Sequence, residues 1–491
     1  MMEAVGIGML VAVACLLVAT GLPAWLLLIG VALVFAGGGV AAGVFGVPLL
    51  TAMPARLLGL LEQDILQALP LYVLMGALLN QLPLARTLFR VGSRALRATG
   101  AGPALAGLGL GVLLAPMNGS VGASVATLAR TVSPHLDASG ISRARGAALV
   151  CVASTLGVVV PPSLVLILLG DAMMRAHTEA ANLTGEAVRI INTQDVFVGA
   201  LVPATLLLAL CALVAWWTNQ RSAVVPTARA SATTSGPAAS DAPTLRECLV
   251  AIVTTAFIAS LLIAVTLGYL YAVEAAAFGA AMLLGYAVVT RALDRAAWRQ
   301  ALHDTMAVTG ALFALLVAAT MFTLVVRAFG TDRWAGAALL HLDAGEWGSL
   351  AVVLGIVALC ALVLDAFEMI FVVIPIAMPP LLAVIHDATW VAVLTLLILQ
   401  ASFLTPPFGY AVLMVRHGLR ISGALPGLPR ALLPYLAAQL VVLALVLAWP
   451  ALAWHRNPTS LSPDRPAGAV SDDDARRMLE LQLPVPAGDV P

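Results

Sequence analysis

Apolar positions fall in long uninterrupted blocks separated by short polar stretches, the pattern of helices that cross a bilayer rather than of helices with one wet face. Runs of spanning length lie near 5–22, 24–45, 68–84, 147–170 and 198–217, and a second set near 247–270, 273–290, 305–326, 391–415 and 432–454. Two further apolar stretches are interrupted midway. Residues 104–129 are broken by Pro116-Met117-Asn118-Gly119-Ser120, and residues 350–385 by Asp365 and Glu368, then by Pro375 and Pro379-Pro380. Each is predicted to be a re-entrant hairpin, two short helices meeting at a non-helical tip. Such backbone is tolerated at membrane depth only where protein or a water-filled cavity covers it. The order is therefore spans, hairpin, interrupted span and closing span, and then the same again. It divides the chain into a first repeat (1–217), a polar cytoplasmic linker (218–246), a second repeat (247–454) and a polar tail (455–491). The expected fold is an all-α polytopic membrane protein with an inverted repeat.

One span in each half carries a Pro-Pro pair in its middle: Pro161-Pro162 in 147–170 and Pro406-Pro407 in 391–415. A helical proline donates no hydrogen bond and leaves the carbonyl four residues back without its partner. The carbonyls so released are those of Gly157 and Val158 in the first copy and of Ser402 and Phe403 in the second. An unsatisfied carbonyl in hydrocarbon costs several kcal/mol, so a cation, a water or a substrate is expected there. Interrupted helices at matching positions of two halves are a sequence pointer to a transport site.

Charge orients the scheme. Arg86, Arg90, Arg94 and Arg97 follow the third span, Arg143 and Arg145 precede the first Pro-Pro span, Arg291, Arg295 and Arg299 follow the seventh, and Arg416, Arg420 and Arg430 follow the second Pro-Pro span. All fall on one side if each hairpin returns to the face it entered from. By the positive-inside rule that side is cytoplasmic. The segment 171–197, with Asp171, Glu179, Glu186 and Asp195, falls outside. The hairpins then enter from opposite faces and both termini are expected in the periplasm. Arg86, Arg90, Arg94 and Arg97 also share one face of a helix, which suits either an interfacial helix or a plain basic loop.

Composition narrows the chemistry. Of 491 residues 61% are hydrophobic and 10% charged, with a net charge of zero, which points to no polyanionic partner. The chain contains no Lys. Five cysteines at unrelated spacings give neither a disulfide framework nor a zinc site. No phosphate-binding Walker loop, HExxH or Ser-His-Asp arrangement stands out, so neither ATP hydrolysis nor an intramembrane enzyme is supported. A channel would need a continuous polar stripe, and the sequence shows isolated breaks. With Glu3 and no basic region ahead of Val5–Val18, the first run is expected to remain a span.

The candidate residues cluster at the interruptions. Asn118, Ser120 and Ser124 surround the first hairpin tip, where small residues would equally suit close helix packing. Ser120, Asn118, Thr155 and the Gly157 carbonyl are neutral oxygens, which suit a hard monovalent cation such as sodium. Asp365 and Glu368 stand one helical turn apart in an apolar run. An ionised carboxylate at mid-membrane costs about 2.5–3.5 kcal/mol, so such acids face a cavity and work there, or lie near the outer face and are solvated. Gln400, Ser402 and Thr405 form the second cluster; the hydroxyls of Ser402 and Thr405 could instead bond back to their own helix.

At these residues the sequence resembles the large membrane subunit of the tripartite ATP-independent periplasmic (TRAP) transporters. The stretches that carry the likeness are Asn118–Thr127 (NGSVGASVAT), Ser154–Asp171 (STLGVVVPPSLVLILLGD), Asp195–Pro203 (DVFVGALVP), Asp365–Pro375 (DAFEMIFVVIP) and Leu399–Ala411 (LQASFLTPPFGYA). The resemblance implies an elevator-type sodium symporter for a small organic acid in the bacterial inner membrane. Sodium as coupling ion would sit at the hairpin tips and Pro-Pro breaks, hence at Ser120, Ser124, Thr155, Gly157, Val158, Ser402, Phe403 and Thr405, with no covalent cofactor. Substrate would lie near Asn118, Gln400, Asp365 and Glu368. The resemblance also implies a periplasmic binding protein and a small four-helix membrane subunit encoded as a separate chain. A symporter of similar architecture that works without a binding protein is the alternative.

Overall fold

Thr244 and Asn192 show how this chain starts its helices. Each side chain accepts the backbone N–H three residues on, and Glu247 and Asp195 reach back to complete capping boxes. A computed structural model describes residues 5–453 apart from 47, 49, 50, 52, 62, 63, 115–120, 186–188, 221–242, 342–344, 407, 408 and 420–424. The first hairpin tip with Asn118 and Ser120, Pro407, nearly all of the linker and the tail 455–491 lie outside the described residues.

The described residues form helices and no strands. In the first half these are α1 (Val5–Thr20), α2 (Ala24–Ala41), α3 (Met53–Leu61), α4 (Asp64–Gln81), α5 (Leu84–Ala95), α6 (Gly102–Leu114), α7 (Val121–Thr131), α8 (Ser133–Ala138), α9 (Arg143–Val159), α10 (Leu164–Thr184) and α11 (Thr193–Asn219). The second half adds α12 (Leu245–Thr266), α13 (Ala272–Thr290), α14 (Arg295–Ala328), α15 (Thr331–His341), α16 (Gly345–Cys360), α17 (Ala366–Leu382), α18 (Ala388–Leu404), α19 (Tyr410–Gly418) and α20 (Leu428–Ala448). Among the described residues six helices are long and apolar enough to cross a membrane, and two bent pairs raise that to eight.

Burial sorts the helices into layers. Every residue of α9 from Gly146 to Val159 is buried, and almost every residue of α18. By contrast only 22% of the apolar window of α12 is covered, and its Leu249, Ile252 and Val253 face outward. A helix that is apolar all round and exposed on most of its face is stable only against lipid. The two Pro-Pro helices thus form the centre, and α12 and its neighbours form the rim.

Packing follows from these layers. α4 packs on α13, α2 on α14, and α4 and α14 on each other. α6 packs against α9, and α16 against α18. α7 meets α19, and α17 meets α10. α11 meets α18, α20 meets α9, and the pairs α9–α18 and α11–α20 also touch. The basic segment after the third span is the helix α5, turned 66° from α4, with Leu84, Ala85, Leu88 and Phe89 buried. It packs on α6 and α12, and Arg90 pairs with Glu247 at 2.8 Å.

Three features go beyond what the sequence shows. The segment after residue 170 is helix as far as Thr184, because Asp171 pairs with Arg175 one turn on at 2.9 Å and the charge does not end the helix. The apolar stretch 350–385 breaks at residues 361–365, and its prolines lie inside α17. A π-helical turn over Met369–Val373 takes up the missing N–H of Pro375. Pro379 leaves the Pro375 carbonyl open, and the guanidinium of Arg327 on α14 donates to it at 3.1 Å while pairing with Glu179 on α10 at 2.7 Å. Finally, Asp365 and Glu368, the first interruption read from the sequence, stand at this break and form the capping box that starts α17.

Arg327→Met should therefore lower stability by about 1–2 kcal/mol, because it strips a charged donor from two acceptors at once. Glu179→Gln should have the smaller effect, since an amide oxygen still accepts from the guanidinium. Thermal unfolding of the purified protein checks the order.

Candidate functional site

The two Pro-Pro breaks lie side by side at the centre of the molecule. α9 ends at Val159 and the chain restarts as α10 at a 42° angle. Ser163 makes the junction: its hydroxyl donates to the Val158 carbonyl at 2.8 Å and accepts the N–H of Leu166 at 3.1 Å. One of the carbonyls expected to be open is thus satisfied by the protein, and only its second lone pair remains. For the Gly157 carbonyl, the residue four places on is Pro161, which has no N–H to give.

The second break works differently. α18 ends at Leu404, and the N–H of Thr405 turns back to the Ser402 carbonyl at 3.2 Å. Gly409 donates to the Thr405 carbonyl at 2.8 Å. It sits so close to the Phe403 carbonyl that a Cβ there would lie 2.5 Å from that oxygen. The Thr405 hydroxyl donates to Ala401 O at 2.9 Å, the back-bond to its own helix. Ser402 is buried one turn before the break.

One hydrogen bond joins the two breaks. Gln400 and Thr155 are both fully buried, and Gln400 Nε2 donates to Thr155 Oγ1 at 3.0 Å. The Thr155 proton is shared between the carbonyls of Val152 and Cys151, so this hydroxyl can only accept from Gln400. That fixes the amide: Nε2 faces Thr155, and Oε1 has no partner among the described residues. A buried, unpaired carbonyl oxygen is unfavourable by about 1–3 kcal/mol, so a native protein that keeps one has a use for it.

Ser124 on α7 is buried, and α7 packs against α19 just beyond the second break. Asp365 and Glu368 lie close enough to Tyr410, at the start of α19, for both charges to act on its hydroxyl. Glu368 spends one oxygen on the Asp365 N–H at 3.1 Å. The structure therefore brings Thr155, Gly157, Val158 and Gln400 together at the α9–α18 contact. Ser402, Phe403 and Thr405 occupy the adjoining turn, with the two acids beside the helix that follows. Nothing among the described residues groups three or more His, Cys, Asp or Glu side chains as metal ligands.

Sequence reasoning missed Asn80, whose Oδ1 is hydrogen-bonded to the Thr127 hydroxyl of α7. Asn80 is a polar residue near the end of an otherwise apolar run, which is signal enough to have found it. It also missed Ser163, which was readable as a cap directly after a Pro-Pro pair.

The chain matches the family described as "Tripartite ATP-independent periplasmic transporter, DctM component" over residues 10–452. The chain belongs to the DctM family. Members are multi-pass membrane permeases, not enzymes. Similar DctM proteins include the "C4-dicarboxylate TRAP transporter large permease protein DctM" of Pseudomonas aeruginosa, 26% identical over 80% of this chain and 86% of that one. The protein of the same name from Rhodobacter capsulatus is 22% identical over 80% and 87%. The "Isethionate TRAP transporter permease protein DctMQ" of Oleidesulfovibrio alaskensis is 24% identical over 79% of this chain and 57% of its own length. Among solved structures, the Alcanivorax borkumensis YdaH transporter is similar with a TM-score of 0.58 and 19% identity, covering 83% of this chain and 89% of that one. That likeness supports the all-helical transporter fold of this DctM chain.

Proposed function

We propose that this DctM protein is the large permease subunit of a tripartite, sodium-coupled importer of a small organic acid in the bacterial inner membrane. The observation that carries the proposal is the Gln400–Thr155 bond, which joins the two interrupted helices and leaves a buried Gln400 Oε1 unpartnered among the described residues. The relatives' names cover C4-dicarboxylates and isethionate, all small anions of organic acids.

The proposed sodium ligands are neutral oxygens: the Gly157 and Phe403 carbonyls and the remaining lone pairs of Val158 and Ser402. The side chains of Ser120, Ser124, Thr155, Ser402 and Thr405 complete the candidates. Substrate is assigned to Gln400, with Asn118, outside the described residues, as the other candidate. With Asp365 and Glu368 engaged in capping α17, their part is to hold the second hairpin arm beside Tyr410, and a cation nearby would offset their repulsion of an acid.

Two oppositely oriented halves are part of the proposal. Exchanging α2, α4, α6, α7, α9, α10 and α11 for α13, α14, α16, α17, α18, α19 and α20 turns each contact named above between these helices into another of them or into itself. That is the packing of an internal repeat; opposite orientation of its halves comes from the charge pattern, and alternating access by an elevator movement of the central helices is the proposed consequence.

Uptake into proteoliposomes tests the reading. With the cognate binding protein, the small membrane subunit and an inward sodium gradient, a C4-dicarboxylate should accumulate. Each net positive charge carried in at about 100 mV supplies about 2.3 kcal/mol, a concentration ratio of about 50. Thr405→Ala should raise the sodium requirement with little change in folding. Uptake that ignores the sodium gradient would remove the cation assignment. Uptake that persists without the binding protein would make the chain a self-sufficient symporter.

A further inference from the structure

The helices fall into two packed groups. α2, α4, α13 and α14 form one, and α6, α7, α9, α10, α17 and α18 form the other. The groups meet where α14 touches α17 and where α4 touches α10. The second group contains α9 and α18 with the two Pro-Pro breaks at their ends. It also contains α7 and α17, which follow the interruptions of the apolar stretches 104–129 and 350–385. Apolar burial has no direction, so two apolar surfaces can shift past one another. A hydrogen bond is satisfied in one register only, because it fails beyond about 3.5 Å.

A polar link joins the two groups in each half. In the first half Asn80, in the last turn of α4, accepts the Thr127 hydroxyl of α7. Thr127 is buried, and its proton is shared with the Ala123 carbonyl one turn back at 3.0 Å. In the second half Arg327, in the last turn of α14, donates to the Pro375 carbonyl of α17 at 3.1 Å and to Glu179 of α10 at 2.7 Å.

These links occupy equivalent places. The exchange of helices given above sends α4 to α14 and α7 to α17, and so carries the first link onto the second. Asn80 stands three residues before Pro83 and Arg327 three residues before Gly330, where each helix ends and the chain turns into α5 or α15. Thr127 and Pro375 each lie about two turns into their helix. The chemistry differs: an amide with a hydroxyl in one half, a guanidinium with a carbonyl and a carboxylate in the other. The position is the same. Packing alone would be served by apolar residues at both.

We propose, on the elevator reading above, that Asn80 and Arg327 are equivalent positioning residues, one in each half, which hold α7 and α17 against α4 and α14 in one register and so set how much of the protein rests in this conformation. Sliding of the central group by a few ångström opens both links. The Arg327 and Glu179 side chains are 32% and 27% exposed, so water replaces each partner when they separate, and the second link releases at low cost. Each link is strong enough to bias the equilibrium and weak enough for a ligand that prefers the other conformation to reverse it.

The test uses the full-length protein in lipid nanodiscs, in a background without native cysteines, with spin labels on Leu183→Cys of α10 and Tyr271→Cys just ahead of α13. Both positions are exposed, and one moves with each group. The labelled parent should show two distances, one of them that of this structure. Arg327→Gln should lower the population at that distance, relative to the other, about tenfold, and Thr127→Val about fivefold, the losses of a charge-assisted and a neutral bond. Arg327→Lys, which keeps a charged donor, should recover part of the loss. Arg299→Gln, near the start of α14, should leave the ratio as in the parent. If Arg327→Gln unfolds, Thr127→Val carries the test, because it keeps the shape of the buried side chain. Two distances whose ratio is unchanged in both variants would overturn the proposal alone, and a lower unfolding midpoint with that ratio unchanged would make the links merely structural. A single distance in the parent and in every variant would overturn it together with the elevator movement. None of these outcomes depends on sodium or cargo.

Discussion

Gln400→Leu should abolish uptake while leaving the fold as stable as before or slightly more so. The substitution keeps most of the side-chain volume and removes two polar atoms from a fully buried position. One of them, Oε1, is unpartnered among the described residues, so its removal relieves about 1–3 kcal/mol of desolvation cost. The other, Nε2, donates to Thr155, and Thr155 keeps its own bonds to the Val152 and Cys151 carbonyls after the loss. A glutamine kept only for packing would make the leucine variant both stable and active. A glutamine kept for a ligand makes it stable and dead. Unfolding temperature and initial uptake rate, measured on the same preparation, separate the two.

Gly111→Ala should damage the protein, and Gly109→Ala, two residues away on the same helix, should not. Gly111 lies where α6 crosses α9, and a Cβ there would overlap the Ala153 carbonyl oxygen and stand 2.7 Å from its carbon. Those are backbone atoms of a buried helix and cannot swing aside, so the arm must move away. Overpacking of this kind costs about 1–3 kcal/mol. It also shifts the first hairpin arm from the helix that carries Thr155. At Gly109 nothing lies within 4 Å of the added carbon, and alanine should gain about 0.5–1 kcal/mol from its better helix propensity. A paired measurement of stability and uptake checks both. Equal behaviour of the two variants would mean that the α6–α9 contact does not position the site.

What the sequence made readable was whatever is caused locally. A proline's missing N–H is a property of the proline, so the interruptions of α9–α10 and α18–α19 could be placed from sequence. The capping boxes at Thr244 and Asn192 are equally local. What failed were inferences about how a local gap is closed. Pro379 stood out as an interruption because nothing nearby in the chain replaces the lost donor. The donor is Arg327, 48 residues before Pro375, the residue whose carbonyl it fills. Asp171 looked like the end of a span, yet its ion pair with Arg175 lets the helix run on. The Asp365–Glu368 pair was visible as two acids one turn apart. That they cap a helix depends on where the backbone breaks, at residues 361–365 and so ten or more residues before Pro375 and Pro379. Of the candidate residues, Thr155 and Gln400 meet through a contact that spans 245 positions, which periodicity cannot reveal.

That separation has a consequence for synthesis. A ribosome adds about 5–20 residues per second, so on the order of 10–50 s pass between the making of Thr155 and the making of Gln400, 245 positions later. In that interval the first half inserts with its hydroxyl turned onto its own helix carbonyls, needing nothing from a partner not yet translated. The side chain that brings an unmet oxygen arrives last. On the proposed assignment of substrate to Gln400, the nascent chain can wait in the bilayer with its cargo site incomplete until that residue has emerged.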